Sequence, residues 1–258
     1  MVGRTRLGCF IAALLSILAC SRASPSSPTA SSSAVVERRA VVLGDSLAVS
    51  PSRAEGFPSE LQRRLDAQQP GWVVSNAGVS GDTTAGGLRR FDQAVPEGTR
   101  ILILELGAND GLRGVDTAAV ERNLATMIER AQARGVRVLL CGMETPPLHG
   151  WNYTVDFHQL FPRLAQKYNV PLVPFLLDGV VLNPDLNGDD EIHPNAAGAQ
   201  RIAQTVWPYL QPLARQETTA SKDLNPQSAI SIHNRQSRNR QSPIRNPQSI
   251  WFYWAGSA

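Results

Sequence analysis

The residues of this chain that could carry out nucleophilic chemistry begin with Ser46, in the stretch AVVLGDSLAVSPS (40–52). Four apolar residues climb into Gly44-Asp45-Ser46 before the chain turns polar and reaches Pro51. A serine hydroxyl is a poor nucleophile at neutral pH. It needs a base to take its proton and donors to stabilise the oxyanion that its attack creates. Histidine is the natural base, because its pKa lies near the working pH. Of the four histidines, His233 lies in the far C-terminal stretch, and His158 falls in a helical pattern where a solvated position is expected. His149 lies in the loop before that helix, and His193 lies in DDEIHPNAAG, just ahead of the last helical pattern. Asp190 stands three residues before His193, a D-x-x-H spacing that lets a carboxylate hold the far ring nitrogen. Asp189 is a rival without that spacing. The string around Ser46 alone leaves two readings open, a nucleophile or a helix cap.

The elements that must position these residues alternate. Continuous apolar runs at 40–44, 72–78, 100–107, 136–142 and 170–175 read as five strands. Between them, 57–68, 83–95, 116–135 and 155–168 carry helical patterns, the last kinked or started late by Pro162, and 195–210 closes the series. In the helix at 116–135, Asp116 is the expected cap, Gly135 the expected stop, and Val120, Leu124, Met127 and Ile128 the apolar stripe. Strands apolar on both faces, separated by amphipathic helices, imply an α/β fold: a three-layer α/β/α sandwich around a five-stranded parallel sheet. Ligands of such folds collect at the carboxyl ends of the strands. Gly44-Asp45-Ser46 follows the first strand, NAGVSGDT the second and GAND the third, so the short polar motifs cluster where a site would form.

GDSL at 44–47, Gly81 in VSGDT, Asn109 in GAND and DEIH at 190–193 resemble, in order, the four sequence blocks of the SGNH (GDSL) hydrolase superfamily. LELGANDGLRG, PLVPFLL and DEIHPNAAGAQRIA are similar to its bacterial arylesterase, thioesterase I and lysophospholipase branch, and the likeness runs from residue 40 to 213. The resemblance implies a flavodoxin-like SGNH fold and a serine esterase acting through an acyl-serine. Its substrates would be aryl or short- to medium-chain acyl esters, lysophospholipids or thioesters. Ser46 would be the nucleophile, His193 the base and then the acid, and Asp190 the residue that orients it. The backbone N–H groups of Ser46 and Gly81 and the side-chain amide of Asn109 would form the oxyanion hole. No metal and no organic cofactor are implied, and no nucleic acid; the partner is a small ester or lipid, with the oligomeric state left open. Asp82 and Asp110 are expected to brace their loops. Leu47, Trp151, Tyr153 and Phe157 are the candidates for the substrate pocket, although the three aromatics could instead pack under their loop. After GDSL the chain reads AVSPSRAEGFP, poorer in aromatics than its relatives, which bears on substrate preference. Two rival readings are a carbohydrate acetyl esterase on the same fold and a flavodoxin-like binding module. Against the second, Pro51 removes an amide and no glycine follows Gly44 in the turn.

The ends add a location. The chain has 258 residues, 42% of them hydrophobic, and its net charge of +3 is carried entirely by residues 216–258. A basic balance confined to one tail is no argument for nucleic acid. Arg4 and Arg6 precede a ten-residue apolar stretch, FIAALLSILA (10–19), too short to span a bilayer as a stable helix. Cys20 then completes ILAC, which resembles a lipoprotein cleavage site; an ordinary secretory signal is the alternative. The expected organisation is an export signal at 1–20 with Cys20 lipidated, a Ser/Pro linker at 21–35, the hydrolase domain at 36–215, and a disordered tail with four N-x-Q-S units at 216–258. The expected location is periplasmic or at the cell surface, held at the membrane by the lipid. Of the other cysteines, Cys9 lies in the signal and Cys141 in an apolar run, so no disulfide and no metal spacing is expected.

Overall fold

The computed structural model describes residues 37–223. The expected export signal with Cys20, the expected linker and residues 224–258 lie outside the described residues. The sheet is built from β1 (Arg38–Gly44), β2 (Trp72–Asn76), β3 (Thr99–Glu105), β4 (Arg137–Cys141) and β5 (Leu172–Val173), all paired in parallel in the order β2-β1-β3-β4-β5. Ala40–Leu43, Ile101–Leu104 and Leu139–Cys141 are completely buried, as central strands covered on both faces must be. On one face α2 (Phe57–Gln68) packs against α8 (Ala196–Asp223); on the other, α6 (Thr117–Ala133) packs between α3 (Thr84–Arg89) and α7 (Trp151–Tyr168). In α6, Asp116 caps by accepting from the Ala119 N–H, and Val120, Leu124, Met127 and Ile128 are all buried.

Four elements depart from the sequence reading. The helix expected at 83–95 is two, α3 and a single turn α4 (Phe91–Ala94), broken at Arg90, whose side chain has partners elsewhere. The helix expected at 155–168, kinked or started late by Pro162, does not start late. It starts at Trp151 and carries the proline inside, because burying Phe157, Leu160, Phe161 and Leu164 outweighs one lost backbone bond. The fifth strand shrinks to Leu172–Val173, since Pro171 and Pro174 on either side lack the N–H a ladder needs. The closing helix runs past Arg215 to Asp223, through Pro208 and Pro212. Glu217 Oε1 lies 2.7 Å from Arg137 Nε, and Gln216 also bonds Arg137, so the folded domain extends beyond the boundary expected at 215.

Candidate active site

The carboxyl ends of β1, β2 and β3 bring three short turns together. After β1 the chain enters α1 (Ser46–Val49), one turn of helix with Asp45 as its cap; the Asp45 side chain accepts from the Leu47 N–H at 3.0 Å. The capping role that Ser46 could have filled is thus taken by its neighbour. As the first residue of the helix, Ser46 has an N–H with no intrahelical partner. Its hydroxyl lies 2.9 Å from His193 Nε2, and His193 Nδ1 lies 2.6 Å from Asp190 Oδ2. The carboxylate can only accept, so Nδ1 carries the proton and neutral Nε2 is left to accept from Ser46.

His193 and Asp190 sit on a loop that ties itself together. Asp190 Oδ1 accepts from the N–H groups of Ile192 and His193, Gly188 donates to the His193 carbonyl, and Asn187 bridges Pro194. The Asp190 carboxyl is held below the usual carboxylate range, first by the His193 ring and then by those two amides. Asp189 has no part in this arrangement.

The loop after β2 holds Gly81 at φ +75°, a left-handed conformation that glycine adopts freely. Three contacts fix it. Val79 N–H donates to the Gly44 carbonyl at 3.1 Å, Arg113 donates to the Gly81 carbonyl, and Asp82 pairs with Arg90 at 2.7 Å. Arg90 also donates to the carbonyls of Gly44 and Ala77, so one guanidinium joins the ends of β1 and β2 to the loop that carries Gly81. Asp110 accepts from both the N–H and the hydroxyl of Thr84. The bracing expected of Asp82 and Asp110 is present.

Asn109 lies in α5 (Ala108–Arg113), a short helix where the sequence suggested a loop, and its Nδ2 donates to Asp45 Oδ2 at 3.0 Å. Asp45 is buried and its carboxyl is pushed up to about 6 by that burial. Behind it stands Glu105, at the end of β3 directly opposite Gly44 in the ladder and wholly buried. Sequence reading placed Glu105 in a strand and gave it no role; its signal was one charge in an otherwise apolar run. Arg90 likewise drew no attention.

The pocket candidates divide. Phe157 is fully buried, packed edge-on against Phe161 and stacked on Tyr153, and is a core residue that does not line a pocket. Tyr153 braces α7 to the chain after Asn109, its hydroxyl donating to the Val115 carbonyl at 2.9 Å with the Asp110 carbonyl 3.3 Å away. Leu47 is only 4% exposed and points into the core, whereas Trp151 is 60% exposed at the start of α7. His149 donates to the Leu112 carbonyl, and His158, expected to be solvated, instead pairs with Glu144 at 2.6 Å, which raises its pKa. Among the described residues no cluster of three or more metal-ligating side chains is found. Two surface depressions, near Arg137 and near Thr99, lie at the amino ends of β4 and β3, away from the serine.

Residues 42–201 match the family model described as GDSL-like Lipase/Acylhydrolase. Esterase TesA of Pseudomonas aeruginosa is 39% identical over 67% of this chain and 88% of its own. Thioesterase 1/protease 1/lysophospholipase L1 of Escherichia coli is 34% identical over 69% of this chain and 86% of its own. A crystal structure of TesA superposes with a TM-score of 0.65 at 38% identity, covering 68% of this chain and 99% of that one.

Proposed function

The chain belongs to the GDSL-like Lipase/Acylhydrolase family and is an esterase, and from that premise we propose that Ser46, His193 and Asp190 are its catalytic residues. The observation that carries this reading is the unbroken chain of contacts from Asp190 through His193 to the Ser46 hydroxyl, at 2.6 and 2.9 Å.

Ser46 Oγ attacks the ester carbonyl while its proton passes to His193 Nε2. The new Oγ–C bond leaves the carbonyl oxygen as an oxyanion, which the N–H groups of Ser46 and Gly81 and the Asn109 amide stabilise. Collapse breaks the bond to the leaving oxygen, which takes the proton from His193. A water then repeats the sequence on the acyl-serine, giving up its proton to His193 and releasing the acid. Asp190 holds the imidazole in the tautomer this needs. Each oxyanion donor acts only when charge develops, so each serves the transition state more than the bound ester.

The substrates are small aryl or short- to medium-chain acyl esters, with lysophospholipids and thioesters in reach; the names of the two relatives support esters, thioesters and lysophospholipids. Trp151, exposed at the start of α7, is the candidate side chain for contact with an acyl or aryl group. The export signal and a lipid on Cys20 would place the enzyme outside the cytoplasm, on a membrane. This rests on Arg4, Arg6, the apolar stretch 10–19 and ILAC. No helix among the described residues is long and apolar enough to cross a membrane.

Rapid mixing with p-nitrophenyl butyrate tests the mechanism. Wild type should release a burst of up to one nitrophenol per enzyme if deacylation is slower, and its steady rate should fall at least about 1,000-fold in Ser46→Ala. A Ser46→Ala protein that hydrolyses the ester at the wild-type rate would refute the assignment.

A further inference from the structure

Behind the nucleophile lies a pair of acidic groups that the mechanism above does not use. Glu105 is completely buried at the end of β3, and Asp45, the residue before Ser46, is completely buried beside it. Glu105 Oε2 accepts from the Asp45 backbone N–H at 3.1 Å, and the two carboxyl groups also hydrogen-bond each other. Glu105 Oε1 is buried and accepts from nothing. Two carboxylates cannot hydrogen-bond without a proton between them. Asp45 accepts from two further N–H donors, Leu47 and Asn109, which favour its charged form, whereas Glu105 is wholly buried with one oxygen accepting from nothing, so Glu105 holds the proton and donates it to Asp45.

The fit is close. A Cβ on Gly44 would collide with Glu105 Oε2, so the glycine of GDSL leaves the space this carboxyl occupies. Asp45 then faces three donors at once: Glu105, the Leu47 N–H at 3.0 Å and Asn109 Nδ2 at 3.0 Å. The last contact decides which way the Asn109 amide points. With Asp45 accepting, the –NH₂ end is held toward the nucleophile turn; a flipped amide would set its oxygen against a carboxylate.

We propose that Glu105, as a neutral carboxylic acid, is a positioning residue for catalysis: it fixes the nucleophile turn through the Asp45 N–H and, through the Asp45 carboxylate, holds the Asn109 amide in its oxyanion-binding orientation. The inference rests on the reading of Ser46 as nucleophile and Asn109 as oxyanion donor. It adds a residue outside the four family blocks that never touches substrate.

The test compares Glu105→Gln with Glu105→Leu. A glutamine reproduces the neutral acid, its amide N–H₂ donating to Asp45 and its oxygen accepting from the Asp45 N–H. Glu105→Gln should keep kcat within about threefold of wild type, whereas Glu105→Leu should lose about 100-fold in kcat. KM for p-nitrophenyl butyrate should stay within about twofold in both, because the oxyanion exists only along the reaction path. Rates are taken per folded molecule, from circular dichroism. Glu105→Leu at wild-type kcat overturns the proposal. So does Glu105→Gln as slow as Glu105→Leu, since an ionising group would then be what the site needs. If Glu105→Leu does not fold, Glu105→Gln decides, and a loss of about 100-fold refutes the neutral-donor role. Failure of the underlying reading is recognised separately, by Ser46→Ala keeping wild-type activity.

Discussion

Asp45 is the residue on which the most contacts converge: it caps α1, receives the Asn109 amide and receives the proton of Glu105. Its burial has a thermodynamic cost. Its carboxyl titrates near 6 when folded, against an ordinary aspartate value of about 3.9. A group whose pKa is raised by folding favours the folded state while protonated, so its contribution is full below the unfolded value and is lost as pH rises to the folded one. From well below pH 4 to well above pH 6 the whole loss from Asp45 is about 3 kcal/mol. Asp45→Asn should therefore gain stability relative to wild type on going from pH 4 to pH 7, read as the difference in urea midpoints. A variant-minus-wild-type midpoint difference that stays constant or falls from pH 4 to pH 7 would show that Asp45 is not held up by burial. The residues proposed for catalysis were legible as letters because their pattern is scarce: one histidine with an aspartate three before it, and a serine directly after an apolar strand. Glu105 was less legible, because its work is done through Asp45 across two strands, a register that linear spacing does not reveal.

Arg90 acts at the scale of elements. Its guanidinium joins β1 and β2 to the Gly81 loop through two carbonyls and the Asp82 carboxylate, and it stands where the helix expected at 83–95 breaks. The pair is mostly buried, with side-chain exposures of 20% and 11%. Arg90→Ala would strand Asp82 and should cost about 3 kcal/mol of stability, together with a fall in kcat as Gly81 loosens. Arg90→Lys keeps the charge without the planar fork and should recover only part of both. Urea unfolding and steady-state kinetics on the two variants check this; an alanine variant of normal stability and rate would refute the clamp. The element order and the apolar stripe of α6 followed from periodicity alone. The ends of elements did not. Leu172–Val173 is short because of its flanking prolines, while Pro162, Pro208 and Pro212 are overridden by the packing of their helices, and local sequence does not state which outcome tertiary contacts will select.

For the whole molecule, the chemistry gathers at one edge of the sheet and the chain end at the other. Arg137 begins β4 at the amino edge, and its contacts with Gln216 and Glu217 tie down α8 far from Ser46. Ending the chain after Asp223 should leave melting temperature and activity close to those of the full protein. Ending it after Arg215 should cost about 1 kcal/mol, the value of a partly exposed ion pair, and leave kcat unchanged. Equal melting temperatures for the two truncations would show that residues 216 and 217 contribute nothing. The domain's later boundary was hidden because residues 216–223 are polar, and polarity reads as tail when the partner, Arg137, is 79 residues upstream. The central claim is that one hydroxyl, poised by His193 and Asp190, takes the acyl group. Its most direct measurement is mass spectrometry after exposure to a fluorophosphonate ester, with the adduct mapped to its peptide. The expected result is a single phosphonyl adduct on Ser46 in wild type and none in Ser46→Ala. No adduct in wild type, or an equal adduct in the alanine variant, would contradict the account.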